Sequence, residues 1–217
     1  MRVIKHSRLL LALASKAGDN ILAEAHSNDH IVSYDSEPLI LVNSQDECIG
    51  HLDKAACHDG EGLLHRAFSL FLFNTNGEVL LQQRVANKRL WPMFWSNSCC
   101  SHPRQNESMR EAVSRRVWEE LGVQVDMVYL YKFQYHATFE DCGSENELCY
   151  VYIGRTETPP NINTLEINAW KWVSVESLDK LLIDDPDAFT PWLKMEWQEL
   201  NSVHTRAIDQ LLQTGTA

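Results

Sequence analysis

Residues 107–123 read ESMREAVSRRVWEELGV, and the placement of charge in this stretch decides how the chain is built. At about 100° per residue, Met109, Ala112, Val113 and Val117 fall on one stripe of an amphipathic helix. Gly122 stands where such a helix stops. Arg116 and Glu120 lie inside the stripe rather than opposite it. On a solvated edge an i,i+4 pair of this kind contributes only about 0.2–0.5 kcal/mol. Among apolar positions both charges are costly to bury unless a partner compensates. A metal ion or an anionic substrate would be such a partner.

Outward from this helix the texture is mixed. LILV, ECIGHLDK, YKFQYHATF, ELCYVYIG and AWKWVSV read as strands. AFSLFLF and EVLLQQR flank NTNG, a hairpin signal. Thr190 and Pro191 open a second long helix. The pattern predicts an α+β fold, a mixed or antiparallel sheet flanked by helices, over residues 37–217. Residues 1–36, a short helix-like segment and then HSNDHIVSYDSEP, read as a partly helical N-terminal extension. It carries no candidate ligand set and is expected to be dispensable for turnover.

Composition narrows the function. The net charge of −11 argues against a general affinity for nucleic acid, which needs a surplus of Lys and Arg. Any anionic ligand must be held by local basic residues. The apolar stretch LLLALA near the start is six residues long, far short of the ~18 that span a bilayer. A cytoplasmic, monomeric protein without a membrane partner is expected. The six cysteines show no CxxC pair, so free thiols in a reducing compartment are the expectation.

Directly before the helix stands WSNSCCSHP, two adjacent thiols beside His102. Elsewhere His58 and His65 lie seven apart, and Glu145 and Glu147 two apart in a strand, hence on one face. Three imidazoles and two carboxylates suit a borderline divalent ion such as Mn²⁺ or Zn²⁺, although a lone histidine is more often structural.

Counted from Ser101, the helical stretch resembles the Nudix signature, a loop and helix whose glutamates bind divalent cations for diphosphate chemistry. Glu107, Arg115, Glu119, Glu120, Gly122, Val117 and Val123 match it. Ser101 replaces the initial glycine, and Arg116 replaces the glutamate expected after Arg115. An arginine can bind phosphate but cannot ligate a cation, which disfavours hydrolysis.

Together with KAACHDGEGLLHRAFS, QRVANKRLWP, WSNSCCSHP, YHATFEDCGSENELC and FTPW, the chain from about Leu39 to the final helix resembles the type I isopentenyl diphosphate isomerases, members of the Nudix superfamily. The resemblance implies conversion between isopentenyl and dimethylallyl diphosphate through a carbocation. It places one ion among His58, His65, His102, Glu145 and Glu147. Glu147 assisted by Tyr135 serves on the protonating side, and Cys100, not Cys99, is the opposing base. Lys54, Arg84, Lys88 and Arg116 match phosphate-binding positions, Glu120 a contact to a substrate-bound Mg²⁺, and Trp192 the aromatic face at the cation. Trp95 is expected to help enclose the pocket. The alternatives are a Nudix-type diphosphate hydrolase and a non-catalytic protein with a structural metal, whose usual four Cys or His ligands fit Glu145 and Glu147 poorly.

Overall fold

The run AFSLFLF forms most of the central strand β3 (His65–Phe73), in which every residue except Arg66 is buried. A strand covered on both faces reads as a continuous apolar run rather than an alternation. A computed structural model describes residues 29–213 of the chain, so the helix-like start of the extension lies outside the described residues. One edge of β3 pairs in parallel with β8 (Gly143–Arg155), from His65 opposite Glu147 to Phe73 opposite Arg155. Strand β7 (Met127–Phe139) lies antiparallel on the far side of β8.

The other edge of β3 is shared. It meets β1 (Pro38–Val42), which forms a hairpin with β2 (Cys48–Asp53). It then meets β6 (Cys99–Ser101) and, last, β4 (Val79–Arg84). The hairpin predicted around NTNG therefore closes through a single register pair, Phe73 opposite Val79. Beyond it β4 turns to β5 (Trp95–Ser96) and β9 (Ile167–Val173). The local turn signal is right, but tertiary partners claim the strand edges.

Helices cover both faces. Helix α2 (Met109–Leu121) begins with a capping box between Ser108 and Glu111 and ends at Gly122, whose φ of 63° is left-handed; such a cap contributes about 1 kcal/mol. Its Ala112, Val113 and Val117 pack with Phe68, Leu70 and Leu72 on one face of β3. On the other face Phe71, Phe73, Val151 and Ile153 pack with Leu193, Trp197 and Leu200 of α4 (Pro191–Val203). The short α1 (Lys54–Cys57) follows β2, and α3 (Val175–Asp184) and α5 (Thr205–Gln213), which the sequence reading does not mark, complete the second layer. No helix among the described residues is long and apolar enough to cross a membrane.

Residues 30–33, ahead of the boundary expected after residue 36, contact helices α1 and α2 and the loop before β9. Val32 is 3% exposed, and its carbonyl accepts from Arg116 Nη1 at 2.7 Å. The His30 carbonyl accepts from Asn163 Nδ2 at 2.7 Å, and Lys54 Nζ donates to Ser33 Oγ at 2.6 Å. This segment has little periodicity of its own, and its place comes from hydrogen bonds to residues far along the chain.

Candidate active site

Strand register assembles the site. Across three neighbouring strands His65 of β3 stands opposite Glu147 of β8, which stands opposite Tyr135 of β7. Glu145, two residues before Glu147, shares its face. On the other edge of β3, Ser69 stands opposite Cys100 of β6, and His102 follows just beyond that strand. His58 arrives from the end of α1. These elements border a cavity of about 430 Å³ whose lining includes Lys54, His58, Arg84, Lys88, Cys100, His102, Arg116, Tyr135, Glu145, Glu147 and Trp192.

The five expected metal ligands converge, with one donor atom from each within 4.8 Å of the others. His58 Nε2 lies 2.8 Å from Glu145 Oε2, and His102 Nε2 lies 3.1 Å from Glu147 Oε1. His58 Nδ1 donates to the Lys54 carbonyl at 2.6 Å and His65 Nδ1 to the Leu63 carbonyl at 2.7 Å. These bonds fix the tautomer that leaves Nε2 as a ligand atom, the usual outer support of a metal-bound histidine. His65 Nε2 and His102 Nε2 face each other at 3.2 Å. Burial, then His65, Lys54 and His58, hold His102 well below its usual pKa, so its ring is neutral. A divalent cation fits this donor set.

Burial pushes the Glu147 carboxyl up, but His65, the Tyr135 hydroxyl and His58 more than offset it and hold it below the usual range. Tyr135 Oη donates to Glu147 Oε2 at 2.8 Å. On the thiol side, Cys99 points into the core against α2 while Cys100 faces the cavity, as strand alternation requires. Cys100 Sγ donates to Asn97 Oδ1 at 2.7 Å. Burial, Glu196 and Glu147 push this thiol far up, with Ser69 and Arg84 pulling against them, which favours the neutral thiol. Trp192 is anchored by donation from Nε1 to Ser96 Oγ at 3.0 Å.

The cationic end draws on four elements. Arg84 donates to the carbonyls of Trp91 and Leu90 at 3.0 and 2.9 Å, and its guanidinium carbon stands 5.4 Å from the Trp192 ring centre. Lys88 forms an ion pair with Glu166, and Arg116 lies 3.7 Å from the same carboxylate. Burial, then Lys88 and Arg116, lower Lys54 to about 8. A lysine carries its charge below its pKa, so the pocket loses one positive charge as pH rises through about 8. KM for a diphosphate substrate is therefore expected to climb above that pH. Steady-state kinetics across the range should show the climb in wild type and not in Lys54→Met.

Trp95 and Glu120 stand outside the cavity lining. Trp95 is half-buried, packed against the core cluster that includes α4 and under Lys171 Nζ, 4.1 Å from its ring centre. The adjacent Ser96 accepts from Trp192 Nε1, and Trp91 packs edge-on behind Trp192 at 5.2 Å, leaving Trp192 and Tyr135 as the aromatic lining. Glu120 is buried as expected, but it forms an ion pair with Arg116 and accepts from Gln82 Nε2 at 3.4 Å, and it is not among the cavity lining. Sequence reasoning missed Glu166, which sits in a loop without a motif, and Ile31, Ser33 and Asp35, which also line the cavity.

Comparison with known proteins agrees with this geometry. The NUDIX domain family matches residues 63–193. The solved structure of DR0079 from Deinococcus radiodurans superposes with a TM-score of 0.57 at 25% identity, covering 69% of this chain and 90% of that one. Isopentenyl-diphosphate Delta-isomerase 1 of Photorhabdus laumondii is 41% identical over 170 residues, covering 77% of this chain and 97% of the relative. The isopentenyl-diphosphate Delta-isomerase of Burkholderia multivorans is 42% identical over 156 residues, covering 72% and 88%. With the sheet register, the five-residue donor set and these relatives in agreement, the chain belongs to the type I isopentenyl-diphosphate Delta-isomerase family of the Nudix superfamily.

Proposed function

We propose that the protein interconverts isopentenyl and dimethylallyl diphosphate by adding a proton to the alkene carbon from one wall of the cavity and removing one from the allylic carbon at the other. The observation that carries this reading is the placement of a hydrogen-bonded Tyr135–Glu147 pair and the Cys100 thiol around one cavity that also contains Trp192. His58, His65, His102, Glu145 and Glu147 would hold Mn²⁺ or Zn²⁺, and an ion there would polarise the Glu147 carboxyl. Tyr135 and Glu147 share the proton that goes to the substrate; Cys100 gives up its own proton first and, as a thiolate, receives the one that leaves. General acid–base groups of this kind contribute about 10²–10⁴ in rate each.

The tertiary cation between the two steps must be kept from water. Trp192, only 3% exposed and braced by Trp91, offers a ring face worth about 0.5–2 kcal/mol to a cation. Lys54, Arg84, Lys88 and Arg116 would hold the diphosphate, which arrives as its Mg²⁺ complex. Glu120 serves this end by holding Arg116 in place; it reaches Mg²⁺ only if that ion pair opens. Hydrolysis fits less well, because the position of the signature glutamate is held by Arg116. Incubation of purified protein with isopentenyl diphosphate and Mg²⁺ tests the reading: dimethylallyl diphosphate is expected without phosphate release, and the reverse outcome sinks it.

A further inference from the structure

Arg89 follows Lys88 in the loop between β4 and β5 and borders the cavity. An exposed arginine usually trails its charge into solvent, where an ion pair contributes little. The Arg89 fork is instead aimed at backbone. Nε and Nη2 donate to the Cys142 carbonyl at 3.1 and 2.8 Å, and Nη1 donates to the Ala55 carbonyl at 3.0 Å. Nη2 also donates to Asp59 Oδ1 at 2.5 Å. Ala55 and Asp59 bracket His58, and Cys142 stands directly before β8, three residues ahead of Glu145. One side chain of the Lys88 loop therefore grips both the segment that carries His58 and the turn that leads into Glu145 and Glu147.

Those two segments meet at backbone distance. Ser144 N donates to the His58 carbonyl at 3.1 Å, and Ser144 Oγ to the Gly60 carbonyl at 2.7 Å. Gly143 has a φ of 140°, and a Cβ there would lie 2.1 Å from the His58 carbonyl oxygen and 3.2 Å from Arg89 Nη2. Any larger residue would force the segments apart. In the loop itself Arg84 holds the Leu90 and Trp91 carbonyls, so the backbone on either side of Arg89 is fixed as well.

We propose that Arg89 is a positioning residue that locks the metal centre to the diphosphate end of the cavity. It sets His58 against Glu145 and fixes both relative to Lys88. The planar fork matters as much as the charge, because a lysine ammonium at this position cannot hold the Ala55 and Cys142 carbonyls in one fixed geometry. Tyr135, Glu147 and Cys100 take their places from strand register rather than from Arg89. Loss of the fork should therefore weaken binding more than it slows the chemical step.

The role rests on the proposed ion among the histidines and glutamates and on the diphosphate contact of Lys88, and the readouts separate them. Release of Mn²⁺ from the loaded full chain to a competing chelator, followed by electron paramagnetic resonance, needs no turnover. In Arg89→Met the Mn²⁺ affinity should fall by about 10-fold, as when an outer support of a metal ligand is removed. KM for isopentenyl diphosphate with Mg²⁺ should rise several-fold, while kcat at saturating metal and substrate stays near wild type. Arg89→Lys should show the same losses, and it decides the matter if Arg89→Met does not fold. A raised KM at wild-type Mn²⁺ affinity overturns the lock, since that is the pattern of a direct phosphate contact. Wild-type behaviour in Arg89→Lys overturns it too, because charge alone would then suffice. So does a lowered thermal midpoint with affinity and KM unchanged, which reports stability only. A wild-type chain that retains no Mn²⁺ overturns the metal assignment and the lock with it. The affinity loss in a protein that turns over no isopentenyl diphosphate would support the lock and sink the isomerase reading.

Discussion

Cys100→Ala is expected to abolish isomer formation while the protein stays folded and metal-loaded. Alanine offers no base, so the rate should fall by about 10²–10⁴. The lost volume is one sulfur atom on a side chain already bordering a cavity, so the stability cost should be on the order of 1 kcal/mol. Cys99→Ala should keep most activity, because that thiol is fully buried against α2 on the other face of the sheet. Turnover in D₂O separates isomerase from hydrolase chemistry: wild type should leave deuterium in the methyl group of dimethylallyl diphosphate, and a hydrolase would put none on carbon. Mass spectrometry of product from wild type and both variants checks it. Unlabelled product, or an inactive Cys99 variant beside an active Cys100 variant, would move the base elsewhere.

Arg116→Glu restores the signature carboxylate and is expected to yield neither a hydrolase nor a sound isomerase. The guanidinium is 3% exposed and ion-pairs with Glu120 while lying near Glu119 and Glu166. Glu120 and Glu166 are both buried, and burial of unpaired carboxylates makes breaking such a pair cost about 3–5 kcal/mol. The substitution also drops the tie from Arg116 Nη1 to the Val32 carbonyl. At the cationic end it sets a negative charge where an anion should dock, so substrate affinity should fall by at least about 10²-fold, roughly 2.7 kcal/mol. Denaturant unfolding and KM report the two losses, and a phosphate assay reports hydrolysis. Rapid phosphate release at retained affinity would remove Arg116 from the diphosphate site.

Much of the site is legible in the sequence because periodicity assigns faces before any contact is known. The 3.6-residue period puts Arg116 and Glu120 on the buried side of α2, where both are found at 3% exposure. The two-residue period puts Glu145 and Glu147 together, and separates Cys100 from Cys99. Capping chemistry marks the start of α2 at Ser108 and its stop at Gly122. These are local rules, and local rules survive the absence of a fold.

Tertiary structure alone decided which faces meet. Nothing near His65 announces that β3 runs parallel to β8, yet that register sets Glu147 opposite His65 and Tyr135 beyond it. Trp192 keeps its place at the cavity because Ser96 of β5 accepts from its Nε1 and Trp91 packs edge-on against it. Glu166 and Val32 lie far along the chain from Arg116, which both of them meet. A sequence specifies face by period, which is a property of a few consecutive residues. Register between distant strands is settled only when the core closes, because the free energy that selects it comes from apolar surface buried on both sides of the sheet at once.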